Sequence, residues 1–123
     1  KNEMFYAEKN NGSFLNNKRI RVSKKNNVDN CLFATGGKNE IKKKLNIRKF
    51  GSASLDLAYV AAGRYDGFFQ KNLSLWDVAA GLILIKESGG KINEINLEKN
   101  NNVEIYASNN SIHEKMLDNI DNF

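Results

Sequence analysis

The chain has 123 residues, a hydrophobic fraction of 41% and one cysteine, Cys31. That is enough for one domain with a real core. It excludes an internal disulfide, and no apolar run reaches the ~18–20 residues that cross a bilayer as a helix. The net charge of +5 is uneven: residues 1–50 carry 13 Lys/Arg against 4 Asp/Glu, and residues 51–123 carry 6 against 10. A basic half suits an anionic partner such as phosphate, nucleic acid or an acidic protein, or a solvated lysine-rich surface.

In chain order, KNEMFYAEKNNG lacks the continuous apolar stretch of a signal peptide. With no initiator Met, the chain is expected to begin partway through a gene product. The lone thiol suits a reduced, cytoplasmic setting. Residues 3–8 and 18–23 alternate as strands do, with turn formers between them, which predicts a hairpin or meander. The asparagine-rich patches at 26–30 and 99–102 read as loops. CLFATGG (31–37) is a buried strand entering a loop, with Cys31 a small buried hydrophobe. Residues 39–46 suit one short helix, and 47–52 a strand ending at Gly51.

From Ser52 to Arg64 the pattern turns helical, with Gly63 near the stop. DGFFQ (66–70) is a short strand. Trp76–Ser88 is a second helix, ended by Gly89-Gly90 and apolar on every side, so burial all round is expected. Residues 91–96 and 103–109 alternate as strands. SIHEKMLDNI (111–120) predicts a final amphipathic helix with Ser111 and Glu114 as a capping box and His113 at the surface. Strands alternating with helices favour an α/β layered architecture with one mixed sheet flanked by helices.

Two stretches can carry chemistry. Asp77 lies beside the lone Trp76 at the head of the second helix. Ser74-Leu75-Trp76-Asp77 fits a capping box, and a carboxylate there suits the helix dipole. Asp77 can equally project into a cleft and ligate a hard cation such as Mg²⁺. In RKFGSAS (48–54) a strand enters Gly51 and a helix begins at Ser52 or Ala53. Backbone N–H groups at such a start can receive phosphate or sugar hydroxyls. No zinc spacing, Ser-His-Asp set or P-loop is present. The basic residues 38–49 lack an interleaved aromatic platform for nucleic acid.

GSASLDLAYVAAGRYDGFFQ followed by LWDVAAGLILIKESGG resembles the C-terminal half of the inositol monophosphatase family. The signature stands here as Trp76, Asp77, Ala79, Ala80, Gly81, Glu87, Gly89 and Gly90, preceded by blocks at 51–53 and 56–67. FYAEKNNGSFLNNKRIRVS is similar to the family's preceding strand pair. The resemblance implies the C-terminal portion of an αβαβα sandwich. Residues 1–30 would be the last strands of an N-terminal sheet region, and 31–123 the C-terminal α/β domain. It further implies a Mg²⁺-dependent, Li⁺-inhibited, usually dimeric phosphatase of inositol monophosphate or a similar sugar phosphate. Within it, Asp77 would bind metal and lie near substrate hydroxyls. Gly51, Ser52, Ala53 and Gln70 would contact substrate.

The chain departs from the family at three places. Gln70 stands where a glutamate is common, and the stretch between Gly37 and Arg48 is short. The family's metal-binding N-terminal half, which carries its catalytic residues, is absent. One carboxylate does not hold octahedral Mg²⁺, so the chain alone is expected to be inactive and to expose apolar surface. Fructose bisphosphate or a 3'-phosphonucleotide is the alternative substrate. A non-catalytic role with RNA or a transcription partner is the alternative function.

Overall fold

The computed structural model describes residues 2–36, 45–49 and 51–120. The chain begins with a three-stranded antiparallel meander: β1 (Phe5–Glu8), β2 (Gly12–Leu15) and β3 (Lys18–Ile20). The stretch between the two expected strands therefore holds a strand of its own, β2. Its turns are tight because asparagines take the left-handed conformation, Asn10 at φ 67°, Asn16 at 49° and Asn17 at 70°. Asparagine tolerates that region better than most residues with a β-carbon.

A second, five-stranded sheet has the order β5-β4-β6-β8-β7. Its strands are β4 (Leu32–Ala34), β5 (Asn46–Arg48), β6 (Gly67–Leu73), β7 (Lys91–Ile92) and β8 (Val103–Ser108). β4 runs parallel to β5 and β6, while β8 is antiparallel to β6 and β7, so the sheet is mixed as expected. Helices α1 (Ala53–Ala61) and α2 (Leu75–Glu87) pack on each other and lie between the two sheets. A short helix α3 (His113–Asp118) covers the other face of the five-stranded sheet.

The two-residue period of the strands divides the core. Ala34, Phe68, Ile105 and Ala107 face α1 and α2. Phe33, Phe69 and Tyr106 face Ile112, Met116 and Ile120. Each fully buried large apolar side chain contributes about 1.5–3 kcal/mol. α1 and α2 approach closely at Gly81, where a β-carbon would stand 2.7 Å from Leu57 Cβ. The far end of α2 is fixed to the meander. Ser13 Oγ donates to the Leu84 carbonyl at 2.7 Å, and Glu87 accepts the N–H groups of Asn10 and Gly12, each at 3.0 Å.

Several expectations are corrected. α2 is not buried on every side: Val78, Gly81, Leu82, Leu84 and Ile85 face inward, while Trp76 is 82% and Ile83 48% exposed. An all-apolar helix gives no sign of which face is covered. Strand β7 stops at Ile92, because the Asn93 side chain takes the next positions on β8. Its amide donates to the Glu104 carbonyl at 2.8 Å and accepts from Tyr106 N–H at 2.9 Å. α3 has Ile112, not Ser111, at its N-cap, and no side chain caps it. Asn109 Oδ1 instead accepts the Ile112 N–H at 3.0 Å. His113 is buried, 2% exposed, with Nδ1 2.7 Å from Ser108 Oγ. Burial, then Lys91, depress its pKa. β5 ends at Arg48, short of Gly51. The expected helix over 39–46 falls outside the described residues up to 44, and Asn46 opens β5. Cys31 is buried as expected, and burial raises its thiol pKa to about 11.

Asp56 on α1 is 1% exposed, and neither carboxylate oxygen has a hydrogen-bond partner among the described residues. Burial raises its pKa from the ordinary 3.8 to about 6. The folded chain then holds this proton more tightly than the unfolded chain, so stability falls as pH rises from about 4 through 6. Asp56→Asn is expected to flatten this dependence and to raise stability above pH 7 by on the order of 1–3 kcal/mol. Urea unfolding across a pH series measures it.

Candidate functional site

β6 leads into α2, and the segment after β5 leads into α1, so both helices begin at one end of the five-stranded sheet. Between their first turns lies a polar cavity of about 360 Å³. It is lined by Gly36, Gly51, Ser52, Ala53, Ser54, Gln70, Leu73 and Asp77. All five residues singled out from the sequence (Gly51, Ser52, Ala53, Gln70 and Asp77) are among them. A wider hollow of about 630 Å³ between Asn26–Asp29 and α3 holds none of the five.

Gly51 has φ +81°, and a β-carbon there would meet nothing within 4 Å. The left-handed turn is the reason for glycine. Ser52 is the N-cap of α1, its Oγ accepting the Leu55 N–H at 3.3 Å. Its hydroxyl hydrogen stays available to a ligand. The first N–H groups of a helix have no carbonyl partner within it. With two helix starts on one cavity, the dipoles add positive potential at its floor, which suits an anion.

Asp77 stands in the first turn of α2 with its side chain exposed. The expected capping box does not form. Ser74 is the N-cap, but its side chain makes no capping bond, and Asp77 N–H donates to the Ser74 carbonyl at 3.1 Å. The Asp77 carboxylate is therefore not spent on capping.

Gln70 reaches the cavity from β6 just before a β-bulge. The pairing with β8 slips between Gln70↔Ile105 and Leu73↔Val103, and Asn72 takes φ 60° within the slip. Such bulges re-aim side chains. The Gln70 carboxamide lies over Gly36, where a β-carbon would stand 2.5 Å from Oε1. Sequence reading missed Gly36, Ser54 and Leu73. The paired glycines after β4 were the one available signal. Among the described residues, no three His, Cys, Asp or Glu side chains gather as a metal site. Asp77 fits a hard cation as one oxygen ligand and does not complete an octahedron.

Residues 1–122 match the inositol monophosphatase family. An inositol-1-monophosphatase of Caulobacter vibrioides is 42% identical over 95% of this chain and 53% of its own length. A protein of Thermotoga maritima named fructose-1,6-bisphosphatase/inositol-1-monophosphatase is 37% identical over 94% of this chain and 50% of its own. A Nus factor SuhB of Pseudomonas aeruginosa is 41% identical over 75% of this chain and 40% of its own. Among solved structures, an IMPase from Thermotoga maritima superposes with a TM-score of 0.84 at 37% identity, covering 95% of this chain and 50% of that one. The chain thus spans about half the length of the relatives it matches.

Gly36→Ala tests the cavity wall. The added methyl must displace the Gln70 carboxamide. The expected result is a shifted Gln70 side-chain amide signal in ¹⁵N NMR, with stability lowered by about 1–3 kcal/mol at most.

Proposed function

The chain belongs to the inositol monophosphatase family, and on that premise we propose that it is the substrate-hydroxyl side of a Mg²⁺-dependent phosphomonoesterase acting on inositol monophosphate or a similar sugar phosphate. The observation that carries this reading is the convergence of Asp77, Gln70 and the starts of α1 and α2 on one cavity. Gln70 both donates and accepts, and so can bind a substrate hydroxyl in either sense. The N–H groups and hydroxyl at Gly51–Ala53 receive further oxygens. Asp77 contributes one oxygen to the metal. The remaining ligands come from polypeptide outside the described residues. When bound, Mg²⁺ offsets phosphate charge and activates water. The fructose bisphosphate or 3'-phosphonucleotide alternative is compatible with the neutral Gln70. A cytoplasmic homodimer inhibited by Li⁺ is the expected form of the whole enzyme.

A second reading, a transcription or RNA partner, is favoured by the Nus factor name of some relatives. It is also supported by exposed Lys18, Arg19, Arg21 and Lys24 on and after β3. Its mark would be salt-sensitive RNA binding that survives Asp77→Asn.

The test is phosphate release from inositol 1-phosphate by the full-length gene product, with Mg²⁺ and with chelator. Asp77→Asn is expected to keep the fold and lower kcat by roughly a hundredfold or more. Turnover within a few-fold of wild type would remove Asp77 from the chemistry. The 123-residue chain alone is expected to release no phosphate above blank in the same assay.

A further inference from the structure

Of the nine glycines only Gly12 follows an asparagine, so the chain has a single Asn-Gly step. It closes the turn between β1 and β2, where Asn11 N–H donates to the Glu8 carbonyl at 2.8 Å. The Asn11 side chain is exposed and makes no hydrogen bond among the described residues. Gly12, at φ +105°, has no β-carbon to shield its nitrogen from the preceding side chain.

These are the conditions for spontaneous deamidation. The Gly12 nitrogen gives up its proton to water and attacks Asn11 Cγ. The bond from Cγ to the side-chain nitrogen breaks, and that nitrogen leaves as ammonia. Water then opens the five-membered imide to aspartate or isoaspartate. No oxidant or cofactor is needed.

The attacking nitrogen is held by Glu87, however. Its Oε1 accepts the Gly12 N–H and its Oε2 the Asn10 N–H, each at 3.0 Å. A carboxylate beside that N–H opposes removal of its proton. Ring closure also needs the nitrogen to turn towards Asn11 Cγ, away from Glu87.

We propose that Asn11-Gly12 is a deamidation site gated by Glu87, with the imide closing only when the β1–β2 turn lifts off α2. The product places a new carboxylate at position 11 close to Glu87. Isoaspartate also lengthens the main chain there. Both oppose re-docking, so the reaction converts a reversible opening into a lasting one at the end of α2 opposite Asp77.

Three samples decide it, incubated together at mildly alkaline pH and mapped by mass spectrometry: the folded chain, its Glu87→Gln variant and a synthetic Lys9–Leu15 peptide. In the folded chain, Asn11 is expected to convert faster than any other asparagine. It is also expected to convert at least roughly tenfold more slowly than in the peptide, as for a reaction that waits on local opening. Glu87→Gln is expected to bring the folded rate several-fold towards the peptide's, with faster hydrogen exchange at the Gly12 amide. Another asparagine converting first overturns the site. A folded rate equal to the peptide's, or one unchanged by Glu87→Gln, overturns the gate. Should the variant not fold, the folded-to-peptide ratio of the wild-type chain decides alone.

Discussion

The carboxylate of Asp66 is the point at which the two sheets and the last helix are tied together. It is 1% exposed at the entry to β6. Oδ1 accepts the Ser23 hydroxyl at 2.5 Å, and Oδ2 accepts the Leu32 N–H at 2.8 Å and the Lys25 ammonium at 3.4 Å. Asn109 extends the cluster, donating to Ser23 Oγ at 2.9 Å and to the Lys25 carbonyl at 3.1 Å. The connection leaving the meander is thereby bound to β4, β6 and the start of α3. Loss of that carboxylate would leave Ser23 and the Leu32 N–H without their acceptor, at a cost of about 1–3 kcal/mol for each buried group. Gln70 lies four residues further along β6, so the cavity wall inherits its position from this cluster. Asp56, equally buried, has no such partners among the described residues, and burial raises its pKa.

The elements were legible where one physical signal acted alone. The alternation of VEIYAS and the glycine after α2 placed β8 and the end of α2 because strand period and left-handed stops are local properties. The sequence failed where a side chain replaced main-chain structure. Asn93 ends β7, and Asn109 starts the final helix, by bonds to residues brought near only by folding. His113 looked exposed because its partner, Ser108, sits on a different element. The gathering of Asp77, Gln70 and Gly51–Ala53 followed from strand-to-helix connections that all open at one sheet end. The bulge at Asn72 and the seat at Gly36 did not, because register and close approach leave no periodic trace.

The Trp76–Gly90 signature therefore mixes two kinds of residue. Asp77 faces the cavity, whereas Gly81 admits Leu57, Glu87 holds the meander's turn, and Gly90 leaves no room for a side chain beside Ile85 and Val22. The packing residues set where α2 lies, and its position aims the carboxylate.

Five asparagines among the described residues, at 10, 16, 17, 72 and 102, occupy left-handed corners where glycine is the commoner solution. Glycine would relieve local strain but widen the unfolded ensemble, since it loses more freedom on folding than any other residue. Asparagine accepts a little strain at each corner and leaves less disorder to be overcome. The consequence appears on prolonged heating: amide side chains are thermolabile, so the durability of this chain is bounded by the chemistry of its corners as well as by the depth of its core.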